Sequence, residues 1–567
     1  VAPMDLPRRA SLLATLSAAV SAPAEADASP AKARRAARAA RAARAGVPEP
    51  LPPRLTAPTA DPVPTVAPPS RTVDTAYPRR RSTIRPWWLT REAPALGSED
   101  AVVHLARRAS WGATPELVAE ISAVGRVAWV DAQLNPASVP DAATTDLVAS
   151  TWPRLRLATW EVHDTYYPSS TGDLGTDVIQ AYLARALWSK RQLLEVLVDF
   201  WTNHLVVTAP WGDAWDAVHR FHVDVVRAHA LGRYADMLVA AAKHPAMLNQ
   251  LDNGSSTKRS PNENFGRELL ELHTVGPGAY PESDVRRSAL VLTGLSTDRE
   301  SGEYYYRHIR HHTGPLSVMD WSDPNASAFG EKVADSYLVH LARHPRTAAT
   351  IARKLAVRFV SDDPPSALVD RLAQVYLAND TRIAPVVRTL LLSSEFGGSV
   401  GQKVKRPLEN MVSTARVLGV RPGPATTSWL GDLVWNAKVA GQQPMGWPAP
   451  NGFPDVAGAW AGAGTTLAAW NWHMGQGWEA TSSTPRVAYP ALRGLLPAVV
   501  PSTYGALVDA LATRLLLAPL PTAKRDAVCA FLDKTPEAAV RSTDAVLGWR
   551  LPYVVALVLD SPEFATR

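Results

Sequence analysis

Cysteine is almost absent from this chain of 567 residues: Cys529 stands alone, so neither an internal disulfide nor a cysteine-based metal knuckle can form. It sits in an apolar helical run, VCAFL, where the expected role is that of a small buried residue. No run of eighteen apolar residues occurs, which argues against a membrane-spanning helix. Phenylalanine is scarce, nine against nineteen tryptophans. Also missing are HExxH, GxSxG, GxxxxGK(S/T) and GxGxxG, the patterns of a zinc protease, a nucleophile elbow, a phosphate loop and a dinucleotide site.

What is present is ample apolar material, 46% of residues, enough for a large core. The net charge of +6 is unevenly placed. Residues 1–90 carry 14 Lys and Arg against 6 Asp and Glu, which leaves 45 against 47 of the chain's 59 and 53 for the remainder. The basic footprint is a tail, so nucleic-acid binding by the folded part loses its main argument. Within residues 1–30, Arg8 and Arg9 precede an apolar, alanine-rich stretch with the layout of a secretory signal, although PRRASLL lacks the usual Phe of a twin-arginine signal. Residues 31–97 are first Ala/Arg-rich and then proline-rich, and are expected to form a disordered tail and extended linker. This points to an exported or envelope-associated protein, with a cytoplasmic location as the alternative.

From Ser98 onward apolar residues recur at three- and four-residue intervals, while alternating strand-like runs are rare. The expected fold is all-α, a multi-helix bundle with long irregular loops, comprising a main domain over 98–480 and a C-terminal helical region over 481–567 packed on it. VVRTLLLSSEF (Val386 to Phe396) and VVALVLDSPEF (Val554 to Phe564) agree at six of eleven positions, a hint of a repeated helical unit.

Several ordered segments carry a resemblance: HLARRASWGATPE from His104, DFWTNHLVVT from Asp199, RAHALGRYADMLVAAAKHPAMLNQLDN from Arg227 and SPNENFGRELLELHTVG from Ser260. TGPLSV from Thr313, IARKLAVRFV from Ile351, KRPLENMVS from Lys405 and GQQPMGWPAPNGFPD from Gly441 continue it. Together they resemble the domain-of-unknown-function 1800 family over roughly residues 100 to 480. The resemblance implies a bacterial protein, often exported, and carries no mechanism.

In the central segment Ser260 suits a helix N-cap, Pro261 the first helical position and Glu263 the third, so a helix is expected from Pro261 to about His273, with Gly276 to stop it. Phe265, Leu269 and Leu272 then share a packed face, and Asn264, Glu268 and Glu271 lie opposite. Two readings of the polar face stand side by side. One makes Glu263, Arg267 and Glu271 ordinary i,i+4 ion pairs. The other makes Glu268 and Glu271 acid/base groups or ligands of a divalent metal inside a helical bundle. His204, at the end of an apolar helix, is a third catalytic candidate.

Around them, Asp252, Asn253 and Asn262 lie in or beside a turn-rich loop leading into the helix N-terminus, where an anion could bind or the side chains could simply brace the turn. Asn264, Arg267 and His273 are further ligand-binding candidates, as is His311 of the cluster RHIRHHTG. His219 and His222, three apart, could chelate one ion, whereas His229 is too far along. Trp447 and its neighbours Trp460, Trp470, Trp472 and Trp478 either stack on sugar rings or pack helices beneath a rigid loop.

Two functions follow: an envelope component binding a partner protein or glycan, or a metal- or carboxylate-dependent envelope enzyme. The deciding geometry is whether His204, the Asp252–Asn253 loop, Glu268, Glu271 and a histidine from 308 to 312 share one cavity.

Overall fold

Three- and four-residue apolar spacing becomes helix through most of the chain. The computed structural model describes residues 100–166, 173–210 and 212–567; the expected signal segment and linker lie outside the described residues. The fold is all-α, interrupted among the described residues by two small antiparallel hairpins. In the first, β1 (Leu295–Thr297) pairs with β2 (Tyr304–Tyr306), Ser296 opposite Tyr305. In the second, β3 (Leu316–Val318) pairs with β4 (Trp321–Asp323), Ser317 opposite Ser322. No helix of the described residues is long and apolar enough to cross a membrane.

Several helices begin in a way their sequence dictates. Thr114 caps Pro115–Val124 by accepting from Leu117 N at 3.2 Å, with Pro115 supplying the fixed φ of the first turn. Two others start at a His-Pro pair. His244 Nδ1 accepts from Ala246 N ahead of Pro245–Gln250, and His344 Nδ1 accepts from Arg346 N ahead of Pro345–Phe359, each at 3.1 Å. The sequence echo is a structural one as well. Ile383–Leu391 and Leu551–Leu559 are each followed by a one-turn helix carrying a buried phenylalanine, Phe396 and Phe564, and each ring packs on a histidine, His104 and His473.

The central helix departs from expectation at both ends. Ser260 is tied into a tight turn with Thr257, so the cap is Asn262, whose Oδ1 accepts from Asn264 N at 2.9 Å and Phe265 N at 3.3 Å. The α-helix therefore runs over Glu263–Glu268 and then widens into a π-turn over Leu269–His273. The wider turn brings Leu270 rather than Leu272 into the core beside Phe265 and Leu269. Gly266 lets this helix press against Glu282–Val291: a Cβ there would lie 2.7 Å from Val285 O.

Beneath these packed faces lies a buried ionic network. Asp199, on the helix Gln192–His204, pairs with Arg406 and accepts from Tyr182 OH at 2.7 Å. Glu409 pairs with Arg358 and, at 2.7 Å, with Arg567. Asp455 faces Arg567 at 3.2 Å and Lys403 at 3.3 Å, and Lys403 also reaches Asp362 at 2.6 Å. Burial alone would push the Asp455 carboxyl up, but Lys403, Arg406 and Arg358 override it and hold it below its usual range. Helix Leu551–Leu559 packs on Ala463–Glu479, with Gly477 against Pro552.

Two outcomes follow from the network. Glu409→Gln leaves Arg358 and Arg567 without their shared carboxylate and should cost about 3–5 kcal/mol, read from denaturant unfolding of the whole chain. Because the folded-state Asp455 pKa is depressed, its stabilisation is present above the unfolded carboxylate range and lost as pH falls through the folded value. Asp455→Asn should thus lose less stability than the wild type between pH 6 and pH 3, measured by thermal melts.

Candidate functional site

The outer face of the central helix carries Asn264, Arg267, Glu268 and Glu271. Arg267 turns away from its helical neighbours to pair with Glu282 on the next helix, Nη1 to Oε2 at 3.0 Å, so the expected i,i+4 pairs with Glu263 and Glu271 do not form. Asn264 is exposed. Glu268 and Glu271 are half-buried and have no hydrogen-bond or ion-pair partner among the described residues. Partial burial, then the neighbouring charge of Glu271, raises the Glu268 pKa against the pull of Arg267. Tyr280 nearby is pushed up to about 12 by burial and then by Glu271.

On the inner side, the π-turn delivers His273 to a largely buried polar cluster. His204 Nδ1 lies 2.9 Å from Lys354 Nζ, and its Nε2 lies 2.9 Å from Tyr234 OH. Tyr234 OH donates to His273 O, and Lys354 Nζ donates to Leu272 O at 3.1 Å. The donors fix one direction: Lys354 to His204 Nδ1, His204 Nε2–H to Tyr234, and Tyr234 to the His273 carbonyl. A neutral His204 is required, and burial, then the Lys354 charge, holds its pKa well below the usual value. Burial takes Lys354 down to about 8 and, with the Lys354 charge, His273 down to about 3. His273 Nε2 is buried without a hydrogen-bond partner.

The other candidates sit in different surroundings. Asn253 is buried and braces its loop, Nδ2 donating to Leu295 O at 3.0 Å and Leu292 O at 3.3 Å. Asp252, at φ 57°, lines an open cleft with three arginines. Asn262 caps the helix and donates to Leu251 O at 2.6 Å. The ring of His311 is engaged on both sides, by Thr293 O and by Asn325 Oδ1, each at 2.8 Å. His219 Nε2 bonds Leu157 O at 2.8 Å, whereas His222 lies in a second π-turn, Phe221–Arg227, with its ring edge-on to Tyr182. That wide turn gives the two histidines separate neighbours instead of a shared ligand. Among the described residues no group of three or more His, Cys, Asp or Glu is arranged to hold a metal ion. His204, Asn253 and His311 are thus held in separate hydrogen-bonding environments, Asp252 lines the cleft, and Glu268 and Glu271 lie together on the outer face of the central helix.

The tryptophans divide. Trp460 and Trp472 are buried, and Trp447 is half-buried, its Nε1 donating to Asn451 Oδ1 at 2.7 Å. Asn203, beside His204, clamps this loop: its Nδ2 donates to Phe453 O at 2.8 Å and its Oδ1 accepts from Phe453 N at 2.7 Å. Gly452 must be glycine there, at φ 73° with a Cβ position 2.1 Å from Asn203 O. Trp470 and Trp478 instead point outward from Ala463–Glu479. Trp478 joins Phe531 and Trp549, 44%, 55% and 60% exposed, around Tyr553. The rings of Trp478 and Trp549 meet Tyr553 nearly at right angles, with centroids 5.3 and 6.3 Å away, and Arg550 lies 5.1 Å from the Trp549 ring centre.

A family profile described as a protein of unknown function, DUF1800, matches residues 104–566. The chain belongs to this family. Neither a curated protein nor a solved structure matches it. In this DUF1800 chain the sequence reading missed Tyr234 and Lys354, although a lysine inside the apolar run IARKLAV is a visible irregularity. It also missed Phe531, Trp549 and Tyr553, which join Trp478 only when the helix Leu551–Leu559 packs on Ala463–Glu479.

Lys354 offers a direct test. Its folded-state pKa lies below the usual lysine value, so the unfolded chain binds more protons between about pH 8 and pH 10 and stability contributed by this site rises across that window. In chemical denaturation, the wild type should gain stability relative to Lys354→Met as pH is raised from 8 to 10. Parallel pH profiles would show that the amine is not held in this cluster.

Proposed function

We propose that the protein is a non-catalytic binding component of the bacterial cell envelope that holds a glycan on the aromatic surface around Tyr553. The observation that carries this is the exposure of Trp478, Phe531 and Trp549 on one surface. Water-exposed apolar patches on a folded chain mark interaction sites, and indole and phenol rings pair an apolar face with a polar edge. Sugar rings present C–H faces to such rings and hydroxyls to a rim such as Arg550. The signal-like segment containing Arg8 and Arg9 supports an envelope address, and the separate surroundings of the central polar residues favour binding over chemistry.

Affinity electrophoresis through gels containing envelope and plant polysaccharides tests this. At least one polymer should retard the wild type, and Trp478→Ala/Trp549→Ala should weaken that retardation about tenfold or more, equivalent to about 1.4 kcal/mol. Both side chains are largely exposed, so the circular dichroism spectrum should not change. Equal retardation of variant and wild type would sink the reading.

One observation favours a second reading, a carboxylate-dependent envelope hydrolase: Glu268 and Glu271 are unpaired, and the Glu268 pKa is raised. Under that reading Glu268→Gln/Glu271→Gln abolishes release of reducing ends from a retained polymer, whereas an unchanged rate removes it.

A further inference from the structure

The Asp252 loop, the first hairpin and the turn His308–Arg310 enclose an open cleft of about 200 Å³ beside the helix Pro245–Gln250. Three arginines face it from three places: Arg299 in the β1–β2 turn, Arg307 just after β2, and Arg310 in the following turn. Backbone carbonyls position two of them, Arg310 Nη1 donating to Gly254 O at 2.6 Å and Arg307 Nη2 to Thr297 O at 3.4 Å. The frame is itself braced, since Ser296 Oγ donates to the same Gly254 O at 3.1 Å and Lys258 N to Arg310 O at 2.8 Å. Asp213 and Asp252 also line the cleft, yet neither forms an ion pair with an arginine among the described residues. Arg307 Nε is buried with no hydrogen-bond partner. Burial, then the charges of Arg307 and Arg299, lowers the Arg310 pKa, which places the three cations close enough to repel one another.

Like charges gathered by backbone contacts around an open cleft are relieved by an anion. Guanidinium forks match oxyanions two N–H groups at a time, and three forks from different elements suit a group with more oxygens and more charge than a carboxylate. The volume exceeds what one inorganic ion fills and leaves room for an attached organic body. We infer that this cleft binds a phosphate group carried on a small organic body, with Arg299, Arg307 and Arg310 clamping its oxygens. A soluble phosphomonoester and a lipid phosphate headgroup share that chemistry.

The test uses the full chain at low ionic strength: calorimetric titration with inorganic phosphate and with glycerol 3-phosphate, and co-sedimentation with phosphatidylcholine vesicles with or without phosphatidic acid. Saturable binding of at least one phosphate-bearing probe is expected, weakened by added salt. Arg299→Gln, a change to an exposed side chain, should weaken it tenfold or more, and Arg299→Gln/Arg307→Gln further still. Binding of the soluble ester assigns a free ligand, and binding only to vesicles with phosphatidic acid assigns a lipid; both uphold the phosphate site. Trp478→Ala/Trp549→Ala should leave this binding unchanged, so the site stands or falls apart from the glycan reading. No saturable binding to any probe, equal affinity for glucuronate, or affinity untouched by both arginine variants would overturn it.

Discussion

Helices from distant parts of the chain are tied together by a largely buried set of ion pairs. Asp199, Asp362, Glu409 and Asp455 face Arg358, Lys403, Arg406 and Arg567, so four carboxylates meet four cations. The partners come from segments far apart in sequence, and each would be costly to bury alone. An apolar core tolerates small slips of one helix past another; this one does not, since a slip would strand an ion. Arg108 extends the set, its guanidinium held by the carbonyls of Phe359, Val360 and Ser399, and burial and then Arg358 bring its pKa down to about 9.

Contacts between distant segments also set how much of the structure was legible in the sequence. Helical periodicity, proline-initiated helices and the polar loops are local signals, and they place the elements well. The π-turn at Leu269–His273 is not local. It is the conformation in which the carbonyls of Leu272 and His273 meet Lys354 and Tyr234, residues from two other helices, and no property of the sequence LLELH announces those partners. The cap shifted from Ser260 to Asn262 for a similar reason, because Ser260 is used by the Thr257 turn while Asn262 is anchored to Leu251 and Ser256.

Arg267 shows the same limit in an ion pair. Helical spacing offered it Glu263 and Glu271, and packing against Gly266 brought Glu282 closer. Its departure leaves Glu268 and Glu271 without an ion-pair partner on a half-buried face. The segment that looked most like one site is a junction whose inner side joins three helices by hydrogen bonds and whose outer side keeps two free carboxylates.

The His-Pro helix starts have a bearing on acid tolerance. A histidine that caps through Nδ1 fails once that nitrogen is protonated, so an ordinary imidazole would release its helix in mildly acidic surroundings. At His244, burial and then the charges of His219 and Arg220 take the pKa down to about 3. The helix Pro245–Gln250, which forms one wall of the arginine cleft, therefore keeps its cap in mildly acidic surroundings.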